Sequence, residues 1–370
     1  LELRLNGKNN NTMHIVNIKN KSLIPALLFA GLMTTGCTMV TDDLDPCPAL
    51  LRIKFEYDYN IKWADAFRHE VKSVNVWAFT PDGRLAWNGE ASGETLASSS
   101  FYLDTPLTEG EYDFVTWCGL KDNNGFDLAT YTPTTKEELE VTLRTVEKDG
   151  RNVSDIRLPG LYHGYVSDFK YEVDPNNPTV KTVVFSLMKD TKDIRVMLQH
   201  LDGSPIENRD FSVSITYDDG EYAWDNSLLP SPVISYEPWE VRYGVITTPD
   251  DEPGAGNGSR SLLTRDDGTI SSVATLLFDL STGRLMADDE NKAILTIHRN
   301  WDNRDIVRIP LINYLLLVKG HYGDISDQEY LDRQDDYSIV FFIDKNSNWA
   351  SAAGIFINSW AVVPPQDLPL

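Results

Sequence analysis

Cysteine is scarce. Three residues in 370, Cys37, Cys47 and Cys118, cannot staple a disulfide-rich scaffold. Histidine is also sparse: His14, His69, His163, His200, His298 and His321 stand apart, none at the spacing by which side chains share a metal. Basic residues are outnumbered, 33 against 56 acidic, for a net charge of −23. Phosphate binding needs clustered Lys and Arg, so this balance argues against nucleic acid as a partner. Long apolar runs are also missing after the first 36 residues. The stretch 309–318 is interrupted by Pro310 and Asn313 and has the length of a strand, not of a membrane span. No Gly-x-Ser-x-Gly, phosphate loop or Cys/His signature occurs. Asp344-Lys-Asn-Ser-Asn348 begins like a calcium loop, but Trp349 stands where the turn glycine belongs and Ile355 where the bidentate Glu belongs. Carboxylates are so numerous that acid pairs carry no information. These absences predict a protein that is not an enzyme, with no catalytic, cofactor-binding or metal-binding residues.

What is present begins near the N-terminus. Lys19 and Lys21 precede an 11-residue apolar run, 23–33, then Thr34-Thr-Gly36, Cys37 and the acidic Asp42-Asp-Leu-Asp45. The run suits the apolar region of a signal and is too short to span a bilayer. The order reads as a bacterial lipoprotein signal, with Cys37 as the lipidated first residue of a mature protein outside the cytoplasm. Thr34 departs from the Leu usual at its position, which predicts slower processing. The rival readings are a plain secretory signal or a buried helix, although the run has no polar face for a helix. Met13 is the expected start, with residues 1–12 lying upstream of it. Residues 1–36 hold four basic side chains and one acidic, so the remainder carries 29 against 55, a charge of −26. With Cys37 lipidated, Cys47 and Cys118 are left; one disulfide and two buried thiols are both consistent with export.

Beyond the tether, period-two alternation dominates. In Leu51-Arg-Ile-Lys-Phe-Glu-Tyr-Asp-Tyr59 every odd residue is apolar or aromatic and every even one charged, which predicts a strand with one buried face. Strands are also expected at 74–78, 110–117, 183–187, 194–198 and 211–217. Asp-Gly pairs beginning at 82, 202, 219 and 267 signal tight turns. Short strands so punctuated predict sandwiches. Helix is minor: Thr135-x-x-Glu138, with Leu139, Leu143 and Val146 on one stripe, and Ser326-x-x-Glu329 each resemble a capping box, and Trp63, Phe67 and Val71 suit a short inward-facing helix. The expected divisions are residues 1–36 as leader, 37–188 and 189–370 as domains, meeting at the polar Lys189-Asp-Thr-Lys-Asp193. The Gly-, Pro- and acid-rich segment 247–261 predicts an exposed loop. Nine Trp are scattered through the chain, and core packing is their expected role; Trp239 is the candidate for a sugar-stacking surface.

Several blocks together resemble the FimB/Mfa2 family of fimbrial anchor lipoproteins from Bacteroidales. They are Asp42-Asp-Leu-Asp-Pro-Cys-Pro48, Arg52-Ile-Lys-Phe-Glu-Tyr-Asp-Tyr59, Gly110-Glu-Tyr-Asp-Phe-Val-Thr-Trp117, Lys189-Asp-Thr-Lys-Asp-Ile-Arg-Val196, Tyr222-Ala-Trp-Asp-Asn226, Glu329-Tyr-Leu-Asp-Arg-Gln334, the strand around Phe341, Trp349 and Ile355-Phe-Ile-Asn-Ser-Trp360. The match runs over about 37–363. It implies an all-β fold of two tandem transthyretin-like antiparallel β-sandwich domains with a few short helices. It further implies an outer-membrane lipoprotein on the cell surface, part of a fimbrium (pilus), anchored through Cys37 and holding a fimbrial stalk subunit, a fimbrillin. Stalk subunits of such pili lose a leading strand to arginine-directed proteolysis, and a neighbour's strand fills the groove. An anchor should keep its own strand, and residues 38–51 contain no Lys or Arg; Arg52 and Arg68 are the first candidates for cleavage. The segment 355–363 is read as a final core strand in preference to a donor. The alternative function is a tip adhesin, or a surface lipoprotein binding host glycan or protein.

Overall fold

A computed structural model describes residues 50–121, 123–174, 179–247, 264–265, 268–269, 272–289 and 292–362. Cys37, Cys47, His14 and nearly all of the segment 247–261 lie outside the described residues.

Among the described residues the regular structure is mostly strand, with three short helices, Phe67–Glu70, Leu311–Leu316 and Asp327–Arg333. Leu51–Glu56 lies between Leu103–Thr105 and Lys181–Ser186 in a three-stranded sheet. That sheet faces a second one ordered Met188–Lys189, Tyr162–Tyr171, Gly110–Cys118, Ser73–Phe79, Leu85–Ser92. Alternate residues of the first strand point between them, and Leu51, Ile53 and Phe55 pack with Val76, Phe114, Val183 and Phe185. Phe55 stacks on Phe67 and Phe185 at centroid distances of 5.5 and 5.7 Å. The second sandwich pairs a sheet ordered Glu240–Thr247, Ser272–Thr282, Lys192–His200, Asp336–Ile343, Ile355–Ile357, Trp360–Val362 with one ordered Arg304–Pro310, Ile294–Arg299, Phe211–Tyr217, Ile234–Tyr236, Arg151–Ser154, Val146–Lys148. Arg151–Ser154, from the first half of the chain, thus completes a sheet of the second half.

The all-β, two-sandwich expectation holds, with one correction to its antiparallel description. Leu51–Glu56 runs parallel to Lys181–Ser186, Lys192–His200 parallel to Asp336–Ile343, and Ile234–Tyr236 parallel to Arg151–Ser154. Such pairings join segments distant in sequence, so no local turn announces them. Ser73–Phe79 is buried at every position. One of its faces joins the first core, while Trp77 and Phe79, with Val115 and Trp117 of the neighbouring strand, enter the larger core that reaches Ile194, Leu276 and Tyr337.

Local expectations fared unevenly. Residues 135–138 form no α-helix: a single 3₁₀ turn, Lys136–Glu138, leads into the strand Val141–Leu143. Leu139, Val141 and Leu143 are buried and alternate with exposed Glu140 and Thr142, so period two overrides the local helix signal. The run 309–318 is a strand ending at Pro310 and then the helix Leu311–Leu316. Phe67 in the first helix and Val71 just after it are buried, but Trp63 is exposed. Asp219-Gly220 is no exposed turn. Asp219 is fully buried, and a Cβ on Gly220 would meet Ile234 Cδ1 at 2.7 Å. A tight turn passed over in the sequence is Asp149-Gly150, with φ of 50° and 73°, which closes the hairpin of Val146–Lys148 and Arg151–Ser154. Ser326 does cap its helix, its hydroxyl accepting from the Glu329 N–H at 3.1 Å.

Candidate functional site

The first strand is the element on which the sequence reading turns. Leu51–Glu56 is paired along both edges: six residues with Lys181–Ser186 and three with Leu103–Thr105. Its outward residues stay wet. Arg52 meets Asp104 at 2.8 Å and Lys54 meets Glu56 at 2.5 Å. Such exposed pairs contribute little, so the strand is held by its ladder and its apolar face.

After Glu56 the chain turns toward the second half. Tyr57 is buried; its ring meets Tyr162 edge-on at 5.1 Å and its hydroxyl reaches Asp335 at 3.4 Å. Asp65 accepts from the Tyr57 and Phe67 N–H groups, each at 2.9 Å, and the Asn60 amide donates to the carbonyls of Tyr57 and Ala64. The Ile61 N–H donates to the Arg333 carbonyl at 2.8 Å. The Arg333 guanidinium lies 3.9 Å from the Tyr59 ring centroid and 3.6 Å from that of Trp63, and donates to Glu329 at 2.8 Å. A desolvated cation between two π faces is a strong contact.

Behind this loop the polar junction segment is buried rather than wet. Lys189 bridges Asp335 at 2.8 Å and Glu70 at 3.7 Å. Lys192, fully enclosed, donates to the carbonyls of Lys189 and Asp332, each at 3.1 Å, and burial pushes its pKa down. Asp190 takes the Asn226 amide at 2.8 Å, and burial pushes its pKa up. Arg284 grips Asp332 with two bonds of 2.9 Å and the Asn226 carbonyl with one of 2.6 Å. These groups hold one another within the second half, and the Lys189–Glu70 pair ties them to the first.

Among the described residues no group of three or more His, Cys, Asp or Glu side chains is placed to hold a metal. His163 is buried against the Trp224 carbonyl at 2.9 Å, with burial lowering its pKa to about 4. His200 faces the Asp344 carbonyl, His298 pairs with Asp305 at 2.7 Å, and His321 stacks flat on Trp360 at 3.6 Å. The loop at Asp344 is filled by Arg299, whose guanidinium donates to Asn346 O, Ser347 O and Asn348 Oδ1 at 2.9–3.1 Å. Trp77 and Trp117 are core residues, whereas Trp63, Trp301 and Trp360 are exposed. Trp239 is half-buried, and the Arg157 guanidinium lies 5.5 Å over its ring. Cys118 is fully buried beside the Thr116 hydroxyl at 3.5 Å, its pKa pushed up to about 12. Ile355 and Ile357 are core residues, and Trp360–Val362 forms the outer strand of its sheet.

Fold and site define an all-β protein of tandem sandwiches in which Leu51–Glu56 is paired on both edges. More particularly, the chain belongs to the family of fimbrillin-A associated anchor proteins Mfa1 and Mfa2, whose model matches residues 44–363. This is a fimbria-associated family of structural proteins, not one of enzymes. Among solved structures, a candidate adhesin of Bacteroides thetaiotaomicron is 29% identical, with a TM-score of 0.72 over 86% of this chain and 99% of its own. A candidate polysaccharide-binding protein of the same species is 25% identical, with a TM-score of 0.69 over 87% and 100%. The fimbrial anchor protein Mfa2 of Porphyromonas gingivalis is 16% identical and shares the fold, with a TM-score of 0.57 over 85% and 99%. No curated protein matches the chain.

Proposed function

We propose that this protein anchors a fimbria at the outer membrane through lipid on Cys37, and that it engages a fimbrial stalk subunit by β-strand complementation. The two-sided pairing of Leu51–Glu56 carries the reading. Leu51–Glu56 occupies its place between two partners, and the residues before it, 38–51, offer no Lys or Arg to a trypsin-like protease. A chain whose own strand fills that place has no groove open there, which suits the end of an assembly rather than its repeat. Affinity for the neighbour would come from main-chain bonds, with alternate side chains giving specificity.

Deleting the protein should leave long fimbriae shed into the medium, and Cys37→Ser should do the same while moving the protein out of the membrane fraction. Attached, normal fimbriae in either strain would reject the reading. So would a surface form beginning at Ile53 or His69. The second reading, an adhesin, is favoured by the 29% identical candidate adhesin and predicts immunogold label at fimbrial tips.

A further inference from the structure

We infer that residues 57–63 and Arg333 form a lock that keeps the first strand from being exchanged for another. Main-chain ladders are indifferent to side-chain identity, so a strand of like pattern could displace Leu51–Glu56 by the same bonds. What a displacing strand could not reproduce is the segment that follows. Arg333 is 7% exposed, clasped between Tyr59 and Trp63 and fixed from its other side by Glu329. Trp63 reaches it by taking a left-handed backbone, φ 53°, which a bulky residue keeps only where its surroundings demand it. The Ile61 N–H to Arg333 carbonyl bond and the Tyr57 hydroxyl to Asp335 bond tie the same loop to the same helix end. Withdrawing the strand therefore requires unthreading the loop from the opposite half of the molecule. The functional meaning of the lock rests on the end-of-assembly reading, but the lock itself belongs to the folded chain alone.

The test uses the purified full chain, its Arg333→Ala and Trp63→Ala variants, and a fluorescein-labelled synthetic peptide of residues 50–59. In both variants amide exchange across 51–56 should rise about tenfold or more relative to 211–217, as loss of a desolvated cation–π contact implies. The peptide should co-elute with the variants and not with the parent. Folded variants that protect 51–56 as the parent does would overturn the lock. So would equal peptide uptake by the parent, or an equal rise in both segments, which would make Arg333 a general stabiliser. Should Arg333→Ala fail to fold, Trp63→Ala, at an exposed position, decides. Fimbrial attachment is not measured, so failure here leaves the anchor reading intact, and its failure leaves the lock intact.

Discussion

Asp219 is fully enclosed and takes the Tyr236 hydroxyl at 2.6 Å, yet burial dominates and pushes its pKa up to about 7. The folded chain therefore holds this proton more tightly than the unfolded one. The associated stability is fully present below the ordinary carboxylate range and is lost as pH rises through about 7. Asp219→Asn removes that loss. Its urea midpoint relative to the parent should improve between pH 5 and pH 8, and an unchanged difference would sink the argument. His163 works in the opposite direction: its depressed pKa contributes stability above the ordinary imidazole range that is lost as pH falls through about 4. Neither role was legible in the sequence. Asp219 carries a turn signal in Asp-Gly, and nothing adjacent says that Tyr236 will close over it. Arg333 likewise reads as one more charge on a helix, and Trp63 as an inward aromatic, until tertiary packing places one against the other.

At the scale of the element, the first strand was legible from its strict alternation, because one of its faces is dry and the other wet. Ile53 is fully buried, and Ile53→Ala should cost about 3 kcal/mol by urea unfolding. Arg52→Ala, which removes an exposed pair, should cost about 0.5 kcal/mol or less. Equal losses for the two would contradict the burial argument. Where alternation is absent, as at 74–78, the expected strand still forms but the sequence does not assign its faces. Ser73–Phe79 is dry on both faces, so its two sides cannot be told apart by polarity. Leu139-Glu-Val-Thr-Leu143 does alternate, but a neighbouring Thr-x-x-Glu imitates a helix start. The Asp149-Gly150 turn closes a hairpin too short and polar for its strands to stand out.

The whole molecule has a core that ignores the division of its sequence. One apolar cluster includes Trp77 and Trp117 from the first half and Ile194, Tyr314 and Tyr337 from the second. Arg151–Ser154, the Lys189–Glu70 pair and the contacts of Arg333 with Tyr59 and Trp63 cross the same boundary. Calorimetry should therefore record one cooperative unfolding transition, and two separated transitions would show that the halves fold apart. Solvent-facing alternation, a cysteine in a lipoprotein-like context and the Lys- and Arg-free stretch after it are legible in the sequence, because each is a local pattern of neighbouring residues. The all-β class and the resemblance to fimbrial anchors followed from such patterns. The parallel pairings, the buried ionic junction and the loop clasped around Arg333 were decided only by tertiary structure. Each joins residues far apart in the chain, and side chains that look solvated one by one become dry when the two halves close over them.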